Sequence, residues 1–178
     1  MLYLADVIGQ AALSGIKRAN HWFIGGIPEG SSGENYGALL EYLLYTRQPS
    51  YYVFPLWSKM GDELLAIDSD ADSAREIATY ASRHSDTGDI SIMVINKTPN
   101  KQRLKFKLGA FTNSGNAYAF EATAARLNSE SITYNGYTDP TELLALLPPM
   151  QVKVKKRAVT YQVEPYSVTV IRFEPSEE

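Results

Sequence analysis

The side chains able to do chemistry are few and scattered. His21 and His84 are the only imidazoles and stand far apart in the sequence. No H-E-x-x-H or similar ligand spacing accompanies them, so neither a metal nor a cofactor is expected. The chain has no cysteine, which removes thiolate ligands, disulfides and a cysteine nucleophile. Ser31 and Ser32 lie among glycines, without the G-x-S-x-G turn between strand and helix that activates a serine. The Gly25 to Gly33 run lacks the Gly-Lys-Ser/Thr ending of a phosphate cradle. Hydrolysis of a glycosidic bond by carboxylates needs two of them, about 5 Å apart for retention and farther for inversion. Glu34, Glu41, Asp62 and Glu63 are the candidates. None stands at a strand end in apolar surroundings, so all four read as solvated surface acids and no residue is assigned as catalytic.

Binding chemistry is better represented. In Asn20-His21-Trp22, a tryptophan at a strand end would offer its flat face to the C–H groups of a sugar ring. A lone tryptophan is more often a core residue, and the residues alone leave both readings open. Tyr134-Asn135-Gly136-Tyr137 forms a tyrosine-rich loop that would contact sugar or merely pack on itself. Asn96-Lys97-Thr98 fits a glycosylation sequon and reads better as a hairpin turn.

The elements that must position these residues change character near Gly61. Leu2 to Ile16 has good helix formers and no proline. Its polar residues Asp6, Gln10 and Ser14, with Lys17 beyond, form one narrow stripe, and the remaining circumference is apolar. Such a helix expects cover on most sides. It also starts without a capping residue, so partners, and sequence, are expected upstream. Lys17 to Ile24 reads as a short buried strand and Gly25 to Gly33 as a loop. Asn35 to Tyr45 reads as a helix. So does Pro49 to Met60, stopped by Gly61 and kinked or shortened at Pro55.

Beyond Gly61 strands dominate. Glu63 to Asp68, Glu76 to Arg83 and the almost wholly apolar Ile90 to Asn96 come first. Arg103 to Leu108 follows, with Leu104, Phe106 and Leu108 alternating against Arg103, Lys105 and Lys107. Asn116 to Thr123, Gln151 to Lys155, Ala158 to Val163 and Ser167 to Phe173 complete about eight strands. Glu142 to Leu147 is a short helix between them. The reading is mainly β: an antiparallel β-sandwich over residues 62–178, preceded by a helical region over residues 1–61.

Hydrophobic residues make up 44% of the 178, enough for a core. A formal net charge of −3 gives no electrostatic reason to expect nucleic acid or an anionic membrane as partner. No stretch is long and apolar enough to span a bilayer. The first residues lack the basic segment and cleavage site of a signal peptide, and the compartment stays open.

Three segments together resemble a known family. L-Y-L-A-D-V-I-G-Q-A-A-L-S-G-I-K-R-A-N-H-W-F (residues 2–23) resembles the last helix-and-strand unit of the barrel in clan A glycoside hydrolases, α-L-arabinofuranosidase-like enzymes especially. Tyr36-Gly37-Ala38-Leu39-Leu40 and R-Q-P-S-Y-Y-V-F-P-L-W-S-K-M-G-D (residues 47–62) resemble the following loop and final barrel helix. V-E-P-Y-S-V-T-V-I-R-F (residues 163–173) is similar to the closing strand of the family's C-terminal sandwich. The resemblance implies that residues 1–61 are the end of a (β/α)8 barrel and that both catalytic glutamates lie upstream of residue 1. It implies carbohydrate as the parent enzyme's ligand. Among substrate-contacting positions, Trp22, with Asn20 and His21 beside it, is what carries over. The expected function is an accessory, structural sandwich region, inactive alone. The residues leave open a stand-alone carbohydrate-binding module using Tyr134 and Tyr137, and a homo-oligomerising domain using the apolar first helix.

Overall fold

The computed structural model describes residues 1–21, 25–26, 39–41, 46–154 and 158–176. The first helix, α1, spans Leu2–Leu13. Its last turn closes by two backbone bonds, Ile16 N–H to the Ala11 carbonyl and Gly15 N–H to the Ala12 carbonyl, both 3.0 Å. This C-terminal motif needs a left-handed residue, and Gly15 supplies it at φ 76°.

Lys17 to His21 carry no regular structure. The strand expected there is absent from these five residues: Lys17, Arg18, Ala19 and Asn20 are exposed and have no described ladder partner. The rest of that expected strand, Trp22 to Ile24, lies outside the described residues. Strand β1 (Gly25–Gly26) pairs in parallel with β2 (Leu40–Glu41). The helix expected over Asn35 to Tyr45 is therefore corrected at Leu40 and Glu41. Leu40 is held between Gly25 on one side and a bridge to Arg47 on the other, and this pairing overrides helical propensity. The remainder of that expected helix, apart from Leu39, lies outside the described residues, as does most of the glycine-rich loop.

The segment expected as one helix divides in two. A 3-10 turn spans Pro49–Tyr52 and α2 spans Val53–Trp57. Pro55 is the third residue of α2, in the first turn, where an absent N–H matters least; the helix ends two residues later. Gly61 is then fixed by space. A Cβ there would lie 2.1 Å from the Arg83 carbonyl oxygen, and its N–H donates to Ser82 Oγ at 2.7 Å.

The strands follow as β3 (Glu63–Leu65), β4 (Ile77–Arg83), β5 (Ile90–Asn96), β6 (Gln102–Lys107), β7 (Asn113–Thr123), β8 (Thr133–Tyr134), β9 (Tyr137–Thr138), β10 (Met150–Lys153), β11 (Ala158–Val163) and β12 (Ser167–Pro175). An antiparallel sheet of eight strands runs β3-β4-β5-β12-β7-β8-β9, with β10 also on β7. A two-stranded ribbon, β11-β6, is separate. The ribbon's Phe106, Val159 and Val163 meet Ile92, Val94, Ala119, Ile171 and Phe173 on one face of the large sheet. That contact makes the expected sandwich. The second face bears Ala78, Tyr80, Met93, Ile95, Val168 and Val170, covered by Ala5 of α1 and by Tyr52, Val53 and Leu56. With both faces covered, every residue of β5 is buried, which explains its unbroken apolar sequence.

α1 is attached to the sheet through its polar stripe. Tyr80 on β4 donates its hydroxyl to an Asp6 carboxylate oxygen and accepts from Gln10 Nε2 at 3.1 Å. Lys97 Nζ reaches the other Asp6 oxygen at 2.8 Å, and Trp57 Nε1 donates to the Ala5 carbonyl at 3.2 Å. Gly9 permits the approach: a Cβ there would lie 2.2 Å from the Tyr80 ring. Asp6 and Gln10 thus fasten the helix to the sheet, while Tyr3 (83% exposed), Val7 and Leu13 face outward.

Candidate functional site

The Asn20-His21-Trp22 segment begins where α1 has ended and its chain has left the sheet. Asn20 is exposed and His21 half-buried; Trp22 lies outside the described residues. The His21 ring stands edge-on to Phe54 of α2, with centroids 5.7 Å apart and planes at 88°. Its Nδ1 is buried and has no hydrogen-bond partner among the described residues. A buried polar nitrogen left unbonded costs free energy. Phe54 is 38% exposed, so the open part of this pair is the aromatic ring.

The two tyrosines separate. β8 and β9 form a hairpin turned by Asn135 and Gly136, both at positive φ (48° and 88°). Tyr137 points out, whereas Tyr134 is buried, its ring 6.0 Å from that of Tyr52. Burial pushes the Tyr134 hydroxyl up to about 12. With its ring inside the core, Tyr134 has no face open to a sugar; the rim position keeps Tyr137 alone.

Of the four candidate acids, Asp62 and Glu63 are exposed. The Asp62 carboxylate accepts from Ser85 Oγ at 2.6 Å and Ser85 N–H at 2.9 Å, and these bonds hold it below the usual carboxylate range. Glu63 is exposed on β3. Glu34 lies outside the described residues, and Glu41 enters only through its backbone pairing in β2.

One carboxyl of unusual character was not singled out from the sequence. Glu121 on β7 is buried, and desolvation pushes it up to about 7. The Thr169 hydroxyl donates to its Oε2 at 3.0 Å, which lowers it, and Glu164 raises it further. A proton-donating carboxylic acid near neutrality has this character. Its place does not suit the role, because the side chain shares the inward parity of Ala117 and Ala119 and so faces the ribbon. That parity was the available signal. Tyr161, across from it on β11, is also raised by burial and by the Glu121 and Glu164 charges.

His84 and Ser91 form a second polar pair, Nε2 to Oγ 3.0 Å. Ser91 is fully buried and donates its hydroxyl to the Lys59 carbonyl at 2.8 Å, so it is a structural tie and not a nucleophile. Among the described residues no group of three His, Asp or Glu is arranged to hold a metal ion. An open cleft of about 400 Å³ lies between the start of α1, the Pro49 turn and the loop after β7, with Tyr3, Gln48, Asn128, Glu130 and Tyr166 in its wall. Neither Asn20 nor His21 belongs to it.

No family model matches the sequence, and no curated protein matches it either. Solved structures do. A bifunctional glucanase-xylanase from a metagenome library aligns over 98% of this chain and 28% of its own, at 17% identity and a TM-score of 0.67. A glycoside hydrolase family 30 subfamily 8 xylanase from Clostridium acetobutylicum aligns over 97% of this chain and 38% of its own, at 15% identity and a TM-score of 0.66. An arabinose-bound GH51 α-L-arabinofuranosidase aligns over 84% and 23%, at 18% identity and a TM-score of 0.59. The chain thus spans well under half the length of each. At such identities the likeness is one of fold: nearly all of this chain is built like part of these glycoside hydrolases.

Proposed function

We propose that the chain is the sandwich-bearing region of a glycoside hydrolase, in which residues 1–61 form the end of a (β/α)8 barrel and residues 62–178 the sandwich that buttresses it. The observation that carries this reading is the two-sided character of α1. One side is fastened to the sheet through Asp6, Gln10 and Gly9. The other leaves Tyr3, Val7 and Leu13 in water. Burying such side chains stabilises by roughly 25 cal/mol per Å², so a helix fastened to the sheet on one side and apolar on the other suits a place between two layers. The structural likeness to longer glycoside hydrolases supports a barrel as the second layer.

In this reading the chain supplies no catalytic carboxylate and does not hydrolyse glycosides alone. Asn20, His21 and Trp22 contribute to the rim of the parent enzyme's sugar site. The α-L-arabinofuranosidase-like assignment belongs to this proposal. The test is an activity screen of the purified chain on chromogenic arabinofuranosides, xylosides and glucosides. No turnover is expected. Turnover abolished by Glu34→Gln or Glu121→Gln would overturn the reading, because it would place a working carboxylate within the chain.

The same exposed side of α1 favours one second reading, self-association of this chain through Tyr3, Val7 and Leu13. A strict monomer by light scattering at high concentration would remove it.

A further inference from the structure

The outward face of the β6–β11 ribbon carries a row of cations that the fold does not use. Arg103, Lys105 and Lys107 alternate with Leu104 and Phe106 and are all exposed. Their register partners across the ribbon are Gln162, Thr160 and Ala158, so no acid stands opposite any of them. Three other cations do form ion pairs: Lys97 with Asp6, Lys101 with Glu164 and Arg172 with Asp89. None of the three in the row has an ion-pair partner among the described residues. Alternate residues of a strand lie about 7 Å apart, and Phe106 anchors the row from beneath. The result is a row of positive charge along one strand of a chain whose net charge is −3.

The geometry points to a binding surface for an acidic polysaccharide, one whose sugars carry carboxylates along an extended chain. Guanidinium and ammonium groups match carboxylate acceptors, and the Thr160 and Gln162 side chains between them supply hydrogen bonds suited to sugar hydroxyls. Single-stranded nucleic acid fits less well, because the outward positions of the ribbon carry no aromatic ring for bases to stack on. The choice of carbohydrate among polyanions rests on the glycoside hydrolase reading above. Cations on an edge strand also discourage strand-to-strand association. The two roles separate on charge reversal, since glutamates guard an edge as lysines do and would repel a polycarboxylate.

The test uses the whole chain and the triple variant Arg103→Glu, Lys105→Glu, Lys107→Glu, with circular dichroism and light scattering confirming that both are folded and soluble. Affinity electrophoresis in gels containing polygalacturonate, fully methyl-esterified polygalacturonate or duplex DNA reads the binding. The wild type is expected to be retarded by polygalacturonate alone, and less at raised salt. Exposed ion pairs are individually weak, so the triple change should lower apparent affinity about tenfold or more. Equal retardation of wild type and variant, or none of either, overturns the proposal. Equal retardation by DNA overturns the choice of polysaccharide, and retardation by the esterified polymer overturns the charge mechanism. Failure here leaves the glycoside hydrolase reading intact, which falls only to turnover by the isolated chain.

Discussion

Replacing Glu121 with glutamine should make the protein more stable in alkaline solution and leave it nearly unchanged in acid. Glu121 sits buried between the large sheet and the ribbon, and the surroundings that disfavour its charge push it from 4.5 up to about 7. The groups facing it are the Thr169 hydroxyl, Glu164, Lys101 and Tyr161. Because the folded pKa exceeds the unfolded one, the folded protein binds this proton more tightly. The associated stability is fully present below about 4.5 and is lost as pH rises through about 7. The gap between those values, at 1.36 kcal/mol per pKa unit, amounts to roughly 3 kcal/mol above pH 8. Glutamine keeps an oxygen for Thr169 to donate to and carries no charge at any pH. Its added N–H groups need acceptors, so the gain is at most about 3 kcal/mol, or roughly 6–12 °C in Tm for a chain of this size. Thermal unfolding of both proteins at pH 5, 6.5 and 8 reads it directly. The difference should be small at pH 5, about 1 kcal/mol, and widen steadily towards pH 8. A difference that is the same at every pH, or a variant less stable at pH 8, would refute the reasoning.

Two further perturbations probe how the helical layer is held. Gly61→Ala should cost more stability than Gly9→Ala, because the first places Cβ 2.1 Å from a backbone oxygen and the second 2.2 Å from a side-chain ring that has some freedom to shift. Overpacking of this kind costs about 1–3 kcal/mol or more, measurable by urea denaturation, and the opposite order would show that the Arg83 backbone yields more easily than Tyr80. Tyr80→Phe removes the hydroxyl shared by Asp6 and Gln10 and should cost about 1–2 kcal/mol. Limited proteolysis should then release α1 earlier than in the wild type, and unchanged protection would mean that Lys97 and Trp57 suffice to hold it.

The strands were readable wherever alternation or unbroken apolarity reported which faces are covered. Ile90 to Asn96 and Ala158 to Val163 appear at their expected bounds, and Arg103 to Lys107 alternates as its sequence does. Long-range pairing was not readable. Leu40 and Glu41 have a helical sequence and become a strand because Gly25, Gly26 and Arg47 lie beside them. Asp6 and Gln10 form a polar stripe in the sequence, and only the structure sets Tyr80, seventy or more residues later, against them. The β8–β9 hairpin differs, since its Asn135-Gly136 turn signal is legible in the sequence itself and only the inward turn of Tyr134 is not. For the candidate site, His21 shows its meeting with Phe54 only in three dimensions. Glu121 was open to discovery by parity, because it continues the inward series of Ala117 and Ala119.

β12 follows every other described strand in the sequence, yet it lies between β5 and β7 in the middle of the large sheet. During synthesis, β3, β4 and β5 emerge long before the strand that joins them to β7. Until Ser167–Pro175 has left the ribosome, the apolar edge of β5 and the edge of β7 face one another with nothing between them. Contacts this far apart in sequence close late, and open strand edges invite pairing between neighbouring nascent chains. The sheet therefore stands as two unfinished halves from the emergence of β7 until that of β12, and chaperone dependence should track how quickly that one strand becomes available.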